Sequence, residues 1–382
     1  FSAVKSISTP DDFTIVFNLS YADDNFLYAL TNPGAMPCDE EFFNLTNGKY
    51  GLDAKYLLCN GPFHVSKWTE KTSVKLAKNN EYNGESSVSP SSVTFYINND
   101  DSEVADKMNS VTYDVAFLSS SQFSSIENKK DLNSVAVQNV TYSFIFNQND
   151  NNYRNKNMRL AFCRSCDTSS LFDSQSDISK ADGIVPPSCK IGGEDYRNGN
   201  AAELLSYDET LAKKNFNDAL LELGSSSVET TILCTEQYEP FVKQMVQKLQ
   251  KTLGVKFVST VKVVSESDLE AAVNDGNYSV AFYPFKAKSS FAGEIIEGFD
   301  QNNIFGYESD VLSQKIRNIK NNSGSLEGER SAVADAENYL VSEAVIMPVF
   351  YENSYFVTSK KTSGIYFYSS ADNVCFINAK KS

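Results

Sequence analysis

From Ser206 to Phe285 the sequence switches repeatedly between helical and strand periodicity, and this alternation limits the fold more than any other feature. The stretch "SYDETLAKKNFNDALLELG" reads as a helix opened by an Asp cap at Asp208 and closed by Gly224. "VETTILCTEQ" reads as a strand. "EPFVKQMVQKLQKTLG" follows as an amphipathic helix with Phe241, Val242, Met245, Leu249 and Leu253 on its apolar side. "VKFVSTVKVV", "ESDLEAAVNDG" and "YSVAFYPF" then give strand, helix and strand. Such an order predicts an α/β lobe. Two further helices, in "SDVLSQKIRNIKNN" and "RSAVADAENYLVSEA", precede the strands "VIMPVFYENSYFVTS" and "GIYFYS".

The N-terminal part is richer in strands. "DDFTIVFNLS" alternates apolar and polar residues after an Asp-Asp turn, and "NGPFHVSKWTEKTSVKLAKN" gives two more strands after Asn60-Gly61-Pro62. "SSVTFYINN" and "YDVAFLS" are strands separated by the short helix "SEVADKMNS". "VAVQNVTYSFIFNQND" reads as one long strand with an aromatic end, followed by a helix from Asn155 to Leu171. That helix carries Cys163 and Cys166 in its middle, three apart and on one face. A redox dithiol needs the thiols at a helix N-terminus, where the dipole lowers their pKa. Zinc needs about four ligands, and His64 is the only histidine. The pair therefore reads as two packed thiols. No metal site or cofactor is expected.

Acids outnumber bases, 49 Asp plus Glu to 34 Lys plus Arg, for a net charge of −15. An acidic chain argues against nucleic acid and anionic membrane as partners. No run of about 18 apolar residues occurs, so no membrane-spanning helix is expected. The chain lacks an initiator Met and opens directly on strand-like sequence, which reads as a segment of something longer. Five Asn-x-Ser/Thr triplets, at Asn18, Asn44, Asn139, Asn277 and Asn321, are background in so Asn- and Ser-rich a chain. The acid pairs Asp11-Asp12, Glu40-Glu41 and Asp100-Asp101 lie in turn-like stretches and do not read as catalytic carboxylates. No nucleophile elbow, phosphate-binding loop or dinucleotide fingerprint is present, so an enzyme is not expected.

The order of these motifs resembles the extracellular solute-binding proteins, family 5, of oligopeptide and dipeptide ABC importers. "NGPFHVSKW" is similar to the family's "NGPY…W", and "SVKLAKNNEYNG" to its "L.RNP.YW.G". "NKNMRLAFCRSCDTSSL" resembles "N..VR.AL..AID...L", "YDETLAKKNFNDALLELG" resembles "YDP.KAK.LL.EAG", and "VIMPVFYENSYFV" resembles "A.IPLYY....V". The resemblance spans nearly the whole chain. It implies a two-lobed periplasmic-binding-protein-like fold of type II, with mixed sheets flanked by helices and a ligand cleft between the lobes. The first lobe is expected over residues 1–147 with 356–382 returning to it, residues 1–50 being a remnant of a small extra domain. The second is expected over 148–355. The resemblance also implies an extracellular, lipid-anchored monomer that captures a peptide-like solute by hinge closure and delivers it to an ABC permease. A surface receptor or adhesion protein that keeps the fold, and a secreted hydrolase, are the alternatives.

For the site, the resemblance points to Tyr283, Phe285, Lys286, Ala287 and Lys288 on the strand "YSVAFYPFKAK", with Phe305 and Tyr307 from "NIFGYESD", and with Asn147. In the family's peptide binders an aspartate after the aromatic strand holds the peptide's α-amino group. Here Lys288 falls at that position, and Phe282 falls where some relatives place an arginine. A lysine repels an ammonium. A carboxylate, a blocked N-terminus or a non-peptide is thus expected in place of a free dipeptide. Of the seven cysteines, Cys38 and Cys59 are the expected disulfide, closing a loop of about 20 residues worth roughly 3 kcal/mol.

Overall fold

A computed structural model describes residues 4–20, 26–31, 33–84, 87–97, 101–168, 172, 177–287, 290–300, 303–322, 324–368 and 373–382. A six-stranded mixed sheet dominates it. Its strands run in the order Phe257–Val263, Val228–Cys234, Val280–Lys286, Val140–Phe146, Ile346–Glu352 and Ile178–Lys180. The first three are parallel, joined through the helices Glu239–Leu253 and Glu266–Asn274, as the alternating sequence required. The rest pair antiparallel.

Alternate residues of each strand feed two different cores. Phe144, Phe146, Ile232, Cys234 and Phe282 pack against the helices Lys156–Ser165, Glu209–Leu223 and Glu239–Leu253. Ile145, Leu233 and Ala281 face the helices Glu266–Asn274, Ala292–Glu297, Asp310–Asn321 and Leu326–Ser342. A strand covered on both faces is apolar throughout, which explains runs such as "SFIF" and "ILC". Each large side chain buried this way contributes about 1.5–3 kcal/mol.

Local sequence sets the helix limits. Asp208 accepts from the Leu211 N–H at 2.9 Å, and Gly224 closes the same helix in the left-handed region at φ 63°. The helix expected to reach Leu171 stops sooner. It spans Lys156–Ser165, and Cys166 takes an extended conformation at its end. Cys163 and Cys166 nevertheless remain in one core, 1% and 4% exposed.

A second, three-stranded antiparallel sheet is built from Val115–Ser119, Ser354–Ser359 and Leu132–Val137. Its small core joins Leu118, Leu132 and Val357 to Ala105 and Met108 of the helix Asp101–Asn109. A third sheet is the meander Phe63–Thr69, Ser73–Lys78 and Ser92–Tyr96. There a bulge at Ser66 brings Trp68 opposite Val74, on the face that Val65 and Leu76 share. His64 is exposed on the other face. The hairpin Val4–Asp11 with Thr14–Leu19 carries Phe13 at its tip, 98% exposed.

Two stretches that read as single long strands are each divided between sheets. The first leaves the three-stranded sheet at Val137 and enters the six-stranded sheet at Val140. The second leaves the six-stranded sheet at Glu352 and enters the three-stranded sheet at Ser354. The expected disulfide is not present: Cys38 and Cys59 are both free. The segment between them is closed by its own caps instead. Asp39 accepts from the Phe42 N–H at 2.7 Å to start the helix Glu40–Leu45, and Asp53 caps the turn Ala54–Tyr56.

Candidate ligand-binding site

The two crossings lie side by side. Gln138 Nε2 donates to Asn353 Oδ1 at 2.7 Å and to Ser179 Oγ at 2.8 Å. The Ser188 hydroxyl donates to the Gln138 carbonyl at 2.6 Å, and the Ser120 hydroxyl to the Asn353 carbonyl at 3.0 Å. Gln138 and Asn353 are thereby tied to each other, to the edge strand of the six-stranded sheet through Ser179, and to Ser120, which follows the strand Val115–Ser119 of the three-stranded sheet. The edge of the six-stranded sheet beside these crossings is also the carboxyl edge of its parallel strands. Open α/β sheets bind ligands outside that edge.

Strand register sets what this edge presents. Lys286 lies opposite Val140, and Tyr351 lies opposite Thr141, so Glu352 comes level with Val140 on its other side. Lys286, Val140 and Glu352 therefore point to one face. One step inward on that face lie Pro284, Tyr142 and Phe350. Tyr142 packs against Tyr238 at 4.4 Å between ring centroids, and Tyr238 hydroxyl donates to Glu352 Oε1 at 2.9 Å. Burial holds the Glu352 carboxyl above the ordinary carboxylate range, against the Tyr238 hydrogen bond and the charge of Lys286, while Glu266 adds to the rise. Burial likewise raises Tyr142 and Tyr238.

The residues named from sequence divide into three groups. Tyr283 and Phe285 lie near the carboxyl edge on the opposite face, half-buried and edge-to-face at 5.6 Å. Lys286 is exposed at the edge. Ala287, 2% exposed, follows it and donates its N–H to the Asn139 carbonyl at 2.9 Å.

Phe305 and Tyr307 are not brought to an open wall. Phe305 is 1% exposed and stacks on Phe299 at 4.6 Å and beside Phe285 at 5.7 Å, so it backs Phe285 from within the core. Tyr307 is buried, its hydroxyl donating to that of Tyr339 at 3.2 Å.

Asn147 is not brought to this edge at all. It follows Phe146, which pairs with Val280 six residues along the strand from Lys286, about 20 Å away at 3.3–3.4 Å per residue. Its side chain donates to the carbonyls of Gly276 and Tyr278 at 2.9 and 2.8 Å and fastens a turn. Lys288 lies outside the described residues.

Sequence reasoning missed Tyr142, Tyr238, Glu352, Gln138 and Asn353. Glu352 did leave a signal, an acid ending a strand that is otherwise apolar, "IMPVFYE". Among the described residues no three His, Cys, Asp or Glu side chains gather as metal ligands. A cavity of about 360 Å³ beside Cys163, Lys180 and Met347 follows the outer sheet edge away from Glu352.

Comparison with known proteins gives a consistent result. The family model "Bacterial extracellular solute-binding proteins, family 5 Middle" matches residues 1–305. The dipeptide-binding protein DppE of Bacillus subtilis is 23% identical over 367 residues, covering 94% of this chain and 67% of DppE. The substrate-binding domain of an oligopeptide ABC transporter from Bacillus anthracis superposes with a TM-score of 0.76 at 18% identity, over 98% of this chain and 75% of that one. Listeria monocytogenes OppA, solved with peptide bound, gives 0.75 at 21%, with the same coverage of 98% and 75%. These likenesses establish the two-lobed periplasmic-binding-protein-like fold of type II.

Proposed function

The chain belongs to the bacterial extracellular solute-binding proteins of family 5, and from that membership we propose that it captures a peptide-like solute for an ABC importer. Members of this family are solute-binding proteins and not enzymes. DppE and OppA carry peptide binding in their names or titles, and the reading extends that ligand class to this chain. Among the described residues no helix is long and apolar enough to cross a membrane. In this reading the protein works outside the cytoplasmic membrane, lipid-anchored to its outer face, as a monomer that delivers its solute to a membrane permease.

The observation that carries the mechanism is the pair of adjacent crossings. Two lobes joined only by short adjacent segments close by small torsional changes at those segments, and a solute bound between them stabilises the closed state. We place the lobe boundary at Gln138–Asn139 and at Asn353, where the chain changes sheets, in place of residues 147 and 355. The site is the carboxyl edge beside these crossings. Tyr283 and Phe285 wall one face, half-buried Tyr142 lies on the other with the buried Tyr238 packed behind it, and Lys286 and Glu352 form the rim. No observation here speaks for a receptor without a transport role.

A thermal-shift screen tests the reading. Pools of di- to pentapeptides should raise the unfolding midpoint, by the equivalent of about 2.7 kcal/mol at a hundredfold excess over Kd. Stabilisation by another small solute, with none from any peptide, would remove the peptide class and leave the binding role. A flat response to every solute would remove both.

A further inference from the structure

Glu352 is costly for a residue with only a structural task. It is half-buried at the end of a strand whose other six residues are fully buried. Its carboxylate accepts one hydrogen bond, from Tyr238, and forms no ion pair among the described residues. A glutamine would serve the Tyr238 hydroxyl equally well as an acceptor, without the cost of desolvating a charge. Position adds a second observation. Glu352 stands at the carboxyl edge of the sheet, next to the crossing at Asn353, with the Tyr142 and Tyr238 rings at its side. A half-buried aromatic ring such as Tyr142 beside a carboxylate suits an ammonium ion, which gains from both, while the buried Tyr238 supplies the hydrogen bond that orients the carboxylate. The other charged groups acting on Glu352 are Lys286, across Val140, and Glu266, at the start of the neighbouring helix.

We propose that Glu352 holds the ammonium group of the bound solute, which makes the preferred ligand a peptide with a free amino end or a comparable primary amine. The inference rests on the reading of this edge as the solute site. It reverses the expectation drawn from Lys288, because the anchoring acid is supplied from the other side of Val140.

The experiment is calorimetry on the protein with peptides of identical sequence, each free and N-acetylated, repeated on the variants Glu352→Gln and Glu352→Asp. Acetylation should weaken binding to the wild type on the order of 10- to 100-fold, the range of a hydrogen bond to a charged group. Glu352→Gln should lose about the same factor for free peptides and become nearly indifferent to acetylation. Glu352→Asp keeps the charge and should keep part of the preference. Equal binding of free and acetylated peptides by the wild type overturns the proposal without any variant. So does a Glu352→Gln protein that retains the full acetylation penalty. If no peptide binds in either form, the peptide reading itself fails and the proposal falls with it, an outcome distinct from equal binding of both. Thermal unfolding of each variant shows that a lost signal is not lost fold.

Discussion

Cys163 is 1% exposed, and burial pushes its thiol up to about 12 although Arg159 pulls the other way. Burial also raises Cys166 well above the usual range, Cys189 to about 12 and Cys234 to about 11. Thiols react as thiolates, so these four should resist alkylation at pH 8 while exposed Cys38 is modified first. Mass spectrometry of iodoacetamide-treated protein, before and after denaturation, checks this. Native labelling of Cys163 at the rate of Cys38 would contradict it. A different residue-scale constraint sits at Glu337, 1% exposed. Its Oε1 accepts from the N–H groups of Ile184 and Val185 at 2.7 and 2.9 Å, and its Oε2 from Arg197 Nη1 at 2.9 Å and the Tyr196 hydroxyl at 3.1 Å. Burial alone would lower the Arg197 pKa, yet contact with Glu337, aided by Tyr351 and Tyr196, leaves it above its usual value. Removing one partner strands the other charge, so Glu337→Ala should lose about 3–5 kcal/mol in a urea titration. A loss below about 1 kcal/mol would mean that water reaches Arg197 and replaces the carboxylate.

At the scale of the element, the helix Glu209–Leu223 shows how far local chemistry reaches. It is opened by Asp208 and closed by Gly224, and it contributes Ala212, Phe216, Ala219 and Leu220 to the core below the sheet. Asp208→Ala removes the acceptor for Leu211 and should cost about 1 kcal/mol, the usual loss for an N-cap. Gly224→Ala should cost about 1–2 kcal/mol through left-handed backbone strain, because open space surrounds the position and no clash contributes. The two changes act at opposite ends with no shared partner, so their effects should add. Chemical denaturation of the single and double variants measures this. Clear non-additivity would mean that the helix end is not an independent unit.

For the whole molecule, the two crossings decide what motion is available. Gln138 and Asn353 bond to each other and to residues on both sides, and in the proposed mechanism they form the narrow waist about which the sheets pivot. Saturating peptide should therefore reduce the radius of gyration in small-angle scattering. An unchanged radius beside a clear thermal shift would show that the solute enters an already closed form. The six-stranded sheet should stay intact in either state, since large cores cover both of its faces.

Periodicity, caps and turns are local properties, and through them the sequence alone determined the α/β alternation from Ser206 to Phe285, the limits of the helix Glu209–Leu223 and the order of motifs that marks the family. The packed character of Cys163 and Cys166 was legible for the same reason. Tertiary structure alone decided where the two long strands break. The residues on either side of Gln138 and Asn353 remain extended, and only their pairing partners change. It also decided which residues meet at the proposed site. Asn147 and Lys286 look equally close to the aromatic strands in sequence, yet antiparallel register sends them to opposite edges. Register brings Glu352 level with Lys286 across Val140, joining residues 66 positions apart in the chain. No local signal encodes that meeting, because it depends on which strands become neighbours once both cores have formed.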